Sequence, residues 1–236
     1  LISSTDLEEL AALPAIRALR DAGRLEIVAA KDNLADSVLA ALAHASFPVF
    51  LTTADNVHLT AVAVEQIDAG ARAEGADVAV AFARPDAVLA AHPDGQRRFY
   101  VFSDEAYSNC NSYWIGSREA ARMAELFRGG GQFVKFPLRI VRSFGLLNLV
   151  RFRLGMGTLT QAFDRFSRRS ALRIVPTIFA DGAIAIDVDN ERTLRIAEQL
   201  LQAREARRQT HGGALTIPHG HAAPADERSA AAATFL

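Results

Sequence analysis

The chain of 236 residues has a single cysteine, Cys110, so it cannot close an internal disulfide and owes no stability to an oxidising compartment. A reducing cytoplasm is the expected setting. It is also short of unbroken apolar sequence: no run approaches the roughly 18 residues that a membrane-spanning helix needs, and no charged and then apolar leader opens the chain. It lacks net charge, with 26 Lys and Arg against 27 Asp and Glu. A dedicated nucleic-acid binder carries a clear basic excess, so no nucleic-acid partner is expected. Lysine is nearly missing: Lys31 and Lys135 stand beside 24 arginines. What is present is an ordinary globular mixture, 50% hydrophobic and 22% charged, which can bury a full core.

Strand-like and helix-like segments alternate along the first half. Leu1-Ile2-Ser3 reads as a strand, and Ser4 or Thr5 can cap a helix that Pro14 restarts and Gly23 stops. Leu25–Ala29 reads as a strand and Ala35–Ala45 as an apolar helix. Pro48–Thr52 is an apolar run expected for a strand buried on both faces. Thr60 can cap a helix to Glu74, and Asp77–Phe82 is the next strand. Residues 85–97 read as a loop-rich excursion, Phe99–Phe102 and Tyr113–Ile115 as strands, and Ser117 as the cap of a helix to Phe127. Gly129-Gly130-Gly131 reads as a hinge. Leu172–Phe179 and Ala183–Val188 are expected strands, and Asn190–Arg208 a closing helix. Past Gln209 the chain collapses into Gly, Ala, Pro and His. The expected organisation is an α/β domain over 1–208, a mainly parallel sheet with flanking helices, and a disordered tail over 209–236.

Carboxylates sit at two strand ends. Leu51-Thr52-Thr53-Ala54-Asp55-Asn56 places Asp55 at the carboxyl edge of a parallel sheet, where such folds bind ligands. A lone carboxylate there suits Mg²⁺, which takes one or two carboxylates plus substrate phosphates; the alternative is a cap or Asx turn. Ile186-Asp187-Val188-Asp189-Asn190 puts Asp187 and Asp189 on one side of a strand, where they repel unless a cation lies between them. Capping by Asp189 and solvation of Asp187 is the alternative.

These segments in this order, with Asn111-Ser112-Tyr113-Trp114-Ile115-Gly116 between them, resemble the MobA-like nucleotidyltransferases, which include molybdenum-cofactor and cobinamide-phosphate guanylyltransferases. The resemblance spans about residues 1–200. It implies a glycosyltransferase-A-like, Rossmann-like fold and transfer of a nucleoside monophosphate from a nucleoside triphosphate to a phosphorylated small-molecule acceptor, with release of pyrophosphate. Asp55 then matches the family's Mg²⁺ aspartate, with Asp189 first and Asp187 second as further metal ligands. Asn111 and Ser112 match the acceptor segment. Ala30–Val38 occupies the place of the base and ribose loop, with Asn33 and Ser37 as nucleotide contacts. An ionised phosphate acceptor needs no general base.

The chain departs from the family in two places. Asn56-Val57-His58 follows the metal aspartate where a proline is usual. The leading strand and its glycine-rich loop with Arg and Lys have no counterpart, Leu1–Ser4 resembling the family's second strand. On that reading the chain as it stands is expected to be inactive, and a non-catalytic nucleotide-binding module is the rival class.

The stretch from Lys135 to Arg173 is apolar and cationic, with Asp164 as its single acid. It reads as solvated helix faces, as a phosphate clamp, or as a membrane-surface helix. His211, His219 and His221 read as incidental tail residues, and Cys110 as a buried structural thiol.

Overall fold

A computed structural model describes residues 2–4, 6–127 and 145–212. The hinge glycines, Lys135, Arg139, Arg142, His219 and His221 lie outside the described residues. The chain divides into two units, Leu1–Leu200 and Leu201–Leu236.

The central strand β4 (Val78–Ala83) shows why this is a layered α/β unit. Its side chains alternate between faces: Ala79, Ala81 and Ala83 enter one core, Val78 and Val80 the opposite one. The alanine face lets helix α4 (Ala61–Ala73) pack close through Ala63, Ile67 and Ala71. On the other face, helix α3 (Leu34–His44) brings Leu42 and Val38 against Val78. Thr60 caps α4 by accepting from the Ala63 amide, as the sequence predicts.

The sheet runs in the order β3 (Val49–Thr52), β6 (Ala106–Ile115), β4, β7 (Ile174–Phe179). Strands β4 and β7 are parallel, whereas β6 is antiparallel to both β3 and β4. The sheet is therefore mixed rather than mainly parallel. β6 has this place because ten residues are enough to pair β3 and β4 on its two sides, and a short strand β5 (Tyr100–Val101) turns back onto it. A second, two-stranded parallel sheet joins β1 (Ile2–Ser4) to β2 (Ile27–Ala29), with helices α1 (Leu7–Ala12) and α2 (Pro14–Asp21) between them. A cavity of about 350 Å³ lies at Leu7, Ala11, Arg20, Leu25, Glu26 and Ile27, and none of the predicted site residues lines it.

Several expectations are corrected. β3 is half-buried along its length rather than buried on both faces, as suits an outer strand of its sheet. Residues 85–97 begin with helix α5 (Pro85–Ala91), because Pro85 sits at the first helical position, where its missing N–H costs nothing. Ala183–Val188 is not a strand. Gly182–Ala185 is a turn of 3-10 helix, opened by the Asp181 side chain accepting from the Ala183 amide, and the chain then runs on without regular structure to Asn190. Residues 209–212 continue helix α8 (Glu191–Gly212) instead of starting the tail; Thr210 Oγ1 donates to the Ala206 carbonyl at 3.1 Å.

Of the cationic stretch, helices α6 (Leu146–Arg153) and α7 (Leu159–Ser170) are described. α7 packs inward through Leu159, Phe163 and Phe166 behind a Thr158–Gln161 capping box. No helix among the described residues is long and apolar enough to cross a membrane.

Candidate functional site

The β3 strand ends at Thr52, and Asp55 follows in a turn held by the Asn56 amide donating to the Thr53 carbonyl. Asn56, the residue directly after Asp55, is buried. Its Nδ2 donates to the Cys110 carbonyl at 2.8 Å and to Ser112 Oγ at 3.1 Å, tying the end of β3 to β6. From the far end of the chain, the Val188 amide donates to the Asp55 carbonyl at 3.1 Å. One backbone bond thus brings together two carboxylate segments that the sequence keeps apart.

Asp187 is the electrostatic centre of this edge. Its carboxyl is pushed up to about 7, first by burial and then by the Asp55 and Asp189 carboxylates, against the pull of a hydrogen bond from Asn111. That bond, Asn111 Nδ2 to Asp187 Oδ2, is 2.6 Å long. The other oxygen, Asp187 Oδ1, is buried without a partner, as are Asp55 Oδ1 and Thr53 Oγ1. Buried acceptors left unpaired are costly, and a set of them around two coupled carboxylates suits a small hard cation. Among the described residues, no three His, Cys, Asp or Glu side chains form a complete cage. One or two carboxylates with open positions fit Mg²⁺, which keeps waters and substrate oxygens in its shell.

The sequence-predicted residues divide into two sets. Asp55, Asp187, Asp189 and Asn111 converge. Within that set Asp187 couples to Asp55 more strongly than to Asp189, which is exposed; the geometry therefore favours Asp187 over Asp189 as the partner of Asp55. Nor does Asp189 cap the last helix. Asn190 does, its Oδ1 accepting from the Arg192 and Thr193 amides at 3.1 and 3.2 Å, while Thr193 Oγ1 accepts from the Asp189 and Asn190 amides.

Ser112 is fully buried: its Oγ donates to the Cys110 carbonyl and accepts from Asn56, so it supports the strand instead of facing an acceptor. Asn33 and Ser37 are engaged in their own turn. Asn33 caps α3 through the Asp36 amide, and Ser37 Oγ accepts from the Lys31 amide at 2.8 Å and donates to the Asn33 carbonyl at 2.9 Å. Cys110 is buried as expected, and burial followed by the Asp187 and Asp181 charges drives its thiol far up.

A prediction follows from the Asp187 proton. A folded-state value of about 7 against an ordinary 3.8 means that the folded chain holds this proton where the unfolded chain has lost it. Cation-free stability should therefore fall as pH rises from about 4 to about 7 and level off above that. Asp187→Asn should remove the loss, its amide oxygen still accepting from Asn111. In thermal melts with chelator, the variant should melt several degrees above the parent at pH 8 and match it at pH 4. Identical melting at both pH values would contradict the coupling.

No known family model and no curated protein matches this chain. Among solved structures, it is similar to a hypothetical transferase structure from Thermus thermophilus, with a TM-score of 0.62 and 23% identity over 71% of this chain and 72% of that one. The chain therefore has the fold of that structure: a mixed α/β fold, a central sheet flanked by helices.

Proposed function

We propose that this chain is a transferase domain of the nucleotidyltransferase kind, which moves a nucleoside monophosphate from a nucleoside triphosphate to a phosphorylated small molecule at the Asp55–Asp187 edge. The observation that carries the reading is the pair of coupled carboxylates with buried, unpartnered Oδ1 atoms beside Thr53. The fold shared with a hypothetical transferase supports it at the coarse level, and the motif order supports the finer one.

On this reading Asp55 and Asp187 hold Mg²⁺ through their open oxygens, and Asn111 fixes the other oxygen of Asp187. Exposed Asp189 lends further negative charge at the rim. When bound, Mg²⁺ supplies stabilisation of the negative charge that builds on the departing pyrophosphate and on the transferred phosphoryl group. Proton loss from Asp187 precedes cation capture, so capture weakens below about pH 7. The test is pyrophosphate release by the full-length gene product with Mg²⁺, each of the four nucleoside triphosphates and a panel of phosphorylated acceptors. Release that requires both a triphosphate and an acceptor is expected, and none with any pair would overturn the reading.

A specific observation also favours a membrane-surface reading for α6. Leu147, Val150 and Leu154 recur at helical spacing, each well exposed, with Arg151 beside them. Gly155 adjoins Val101, itself 62% exposed, so the apolar stripe continues onto β5. Co-sedimentation with anionic phosphatidylglycerol vesicles should be clear at low salt and fall steeply as salt is added. No binding at low salt would end this second reading.

A further inference from the structure

We propose that Asn109 is a positioning residue for the Asp55–Asp187 edge, and that it acts through the backbone of Asn111. The register of β6 supplies the first observation. Tyr113 lies opposite Val80 and Asn109 opposite Phe82, so β6 spends four residues where β4 spends two. Such bulges re-aim side chains next to sites. Asn111 lies inside the excess with φ at +46°, a left-handed conformation that asparagine adopts more readily than most residues.

What holds it there is Asn109. Its Oδ1 accepts from the Asn111 amide at 3.0 Å, while its Nδ2 donates to the Tyr113 hydroxyl at 3.2 Å. The carboxamide of Asn109 is thereby fixed at both ends within the strand and cannot swing away from the bulge. Held in this conformation, Asn111 reaches across to Asp187 Oδ2 at 2.6 Å, leaving Asp187 Oδ1 open. Without Asn109 the bulge loses the acceptor for its amide and Asn111 loses its aim. The carboxylate of Asp187 can then rotate, and a cation meets a mixture of orientations. Outer partners that orient a ligand in this way typically change metal affinity 10- to 100-fold.

The consequence for a cation rests on the reading given under Proposed function, whereas the aiming of Asn111 is a property of the cation-free chain, so two measurements separate them. The first follows the Asn111 side-chain amide by ¹⁵N NMR in cation-free protein. A displaced, slowly exchanging pair is expected in the parent and in Asn109→Asp, which keeps the acceptor, and a solvent-like pair in Asn109→Ala. The second titrates Mn²⁺ by electron paramagnetic resonance. Asn109→Ala should weaken binding about tenfold and Asn109→Asp by no more than about threefold. On an Asn111→Ala background, Asn109→Ala should add nothing, because the two residues act in series. Should Asn109→Ala fail to fold, Asn109→Gln, whose longer side chain misplaces the acceptor, takes its place with the same expectation. An unchanged Asn111 signal in Asn109→Ala, or additive losses in the double variant, would overturn the proposal. If the parent binds no Mn²⁺, the cation reading falls, and the NMR comparison alone decides the role of Asn109.

Discussion

Asp55→Ala and Asp187→Asn, each made in the full-length gene product, are expected to lower pyrophosphate release by about 10³-fold or more, the several kcal/mol attributed to a cation's charge stabilisation. Both residues offer an unpartnered buried oxygen, and they repel each other unless a cation or a proton intervenes. Neither substitution should unfold the chain. Asp187→Asn keeps an acceptor for Asn111 and removes a repulsion, so its melting temperature should hold or rise while its activity falls. That opposition separates a lost site from lost structure. Asp189→Asn should cost no more than about tenfold, since Asp189 is exposed and couples to Asp187 less strongly than Asp55 does. A large loss at Asp189 with full activity in Asp187→Asn would reverse the assignment drawn from the geometry.

Gly182→Ala is expected to cause the largest loss of stability of any single-methyl change in the described core. A Cβ at Gly182 would stand 2.2 Å from the Ala87 carbonyl carbon and from the Val88 nitrogen, and 2.3 Å from the Ala87 oxygen. These are backbone atoms of α5, so no side chain can rotate to make room. Either α5 or the 182–185 turn must move, and both are anchored: Val88 and Ala185 are fully buried, and Ile184 nearly so. Overpacking of this severity costs about 3 kcal/mol or more. The same turn leads into Asp187, so weaker cation binding should accompany the lower urea midpoint. Gly70 is the control. It lies inside α4 with nothing within 4 Å of an added Cβ, so Gly70→Ala should stabilise by about 0.5–1 kcal/mol. If Gly182→Ala unfolds at the parent's urea concentration, the close approach is not a constraint.

The parts of this fold that the sequence reveals are those set by local rules. Thr60 before an apolar helix and Gly23 after one each act within a few residues, and the elements lie where those signals put them. The errors come from context that the chain supplies from a distance. Ala183–Val188 has the apolar character of a strand, but Gly182–Ala185 forms a 3-10 turn set close against the backbone of α5 and opened by Asp181. β6 is more than three times the expected Tyr113–Ile115, because its small polar first half is made a strand by the neighbours it pairs with. At the site, the place after an apolar strand points to Asp55 and the motif order to the Asp187–Asp189 segment, but that order ranks Asp189 first, whereas Asp187 is the less exposed of the two and couples to Asp55. Ser112 was not distinguishable from Asn111, since strand alternation alone cannot tell which faces the core. Asn109 carried no signal beyond its spacing from Asn111 and Tyr113, and its part depends on a bulge that only the register of β6 against β4 discloses.

The most direct measurement is a Mn²⁺ titration at pH 8, followed by electron paramagnetic resonance on the parent, Asp55→Ala, Asp187→Asn and Asp189→Asn. One bound ion that Mg²⁺ displaces is expected in the parent, with binding lost in the first two variants and largely retained in the third. Absence of a bound ion in the parent, or binding that survives both Asp55→Ala and Asp187→Asn, would contradict the account.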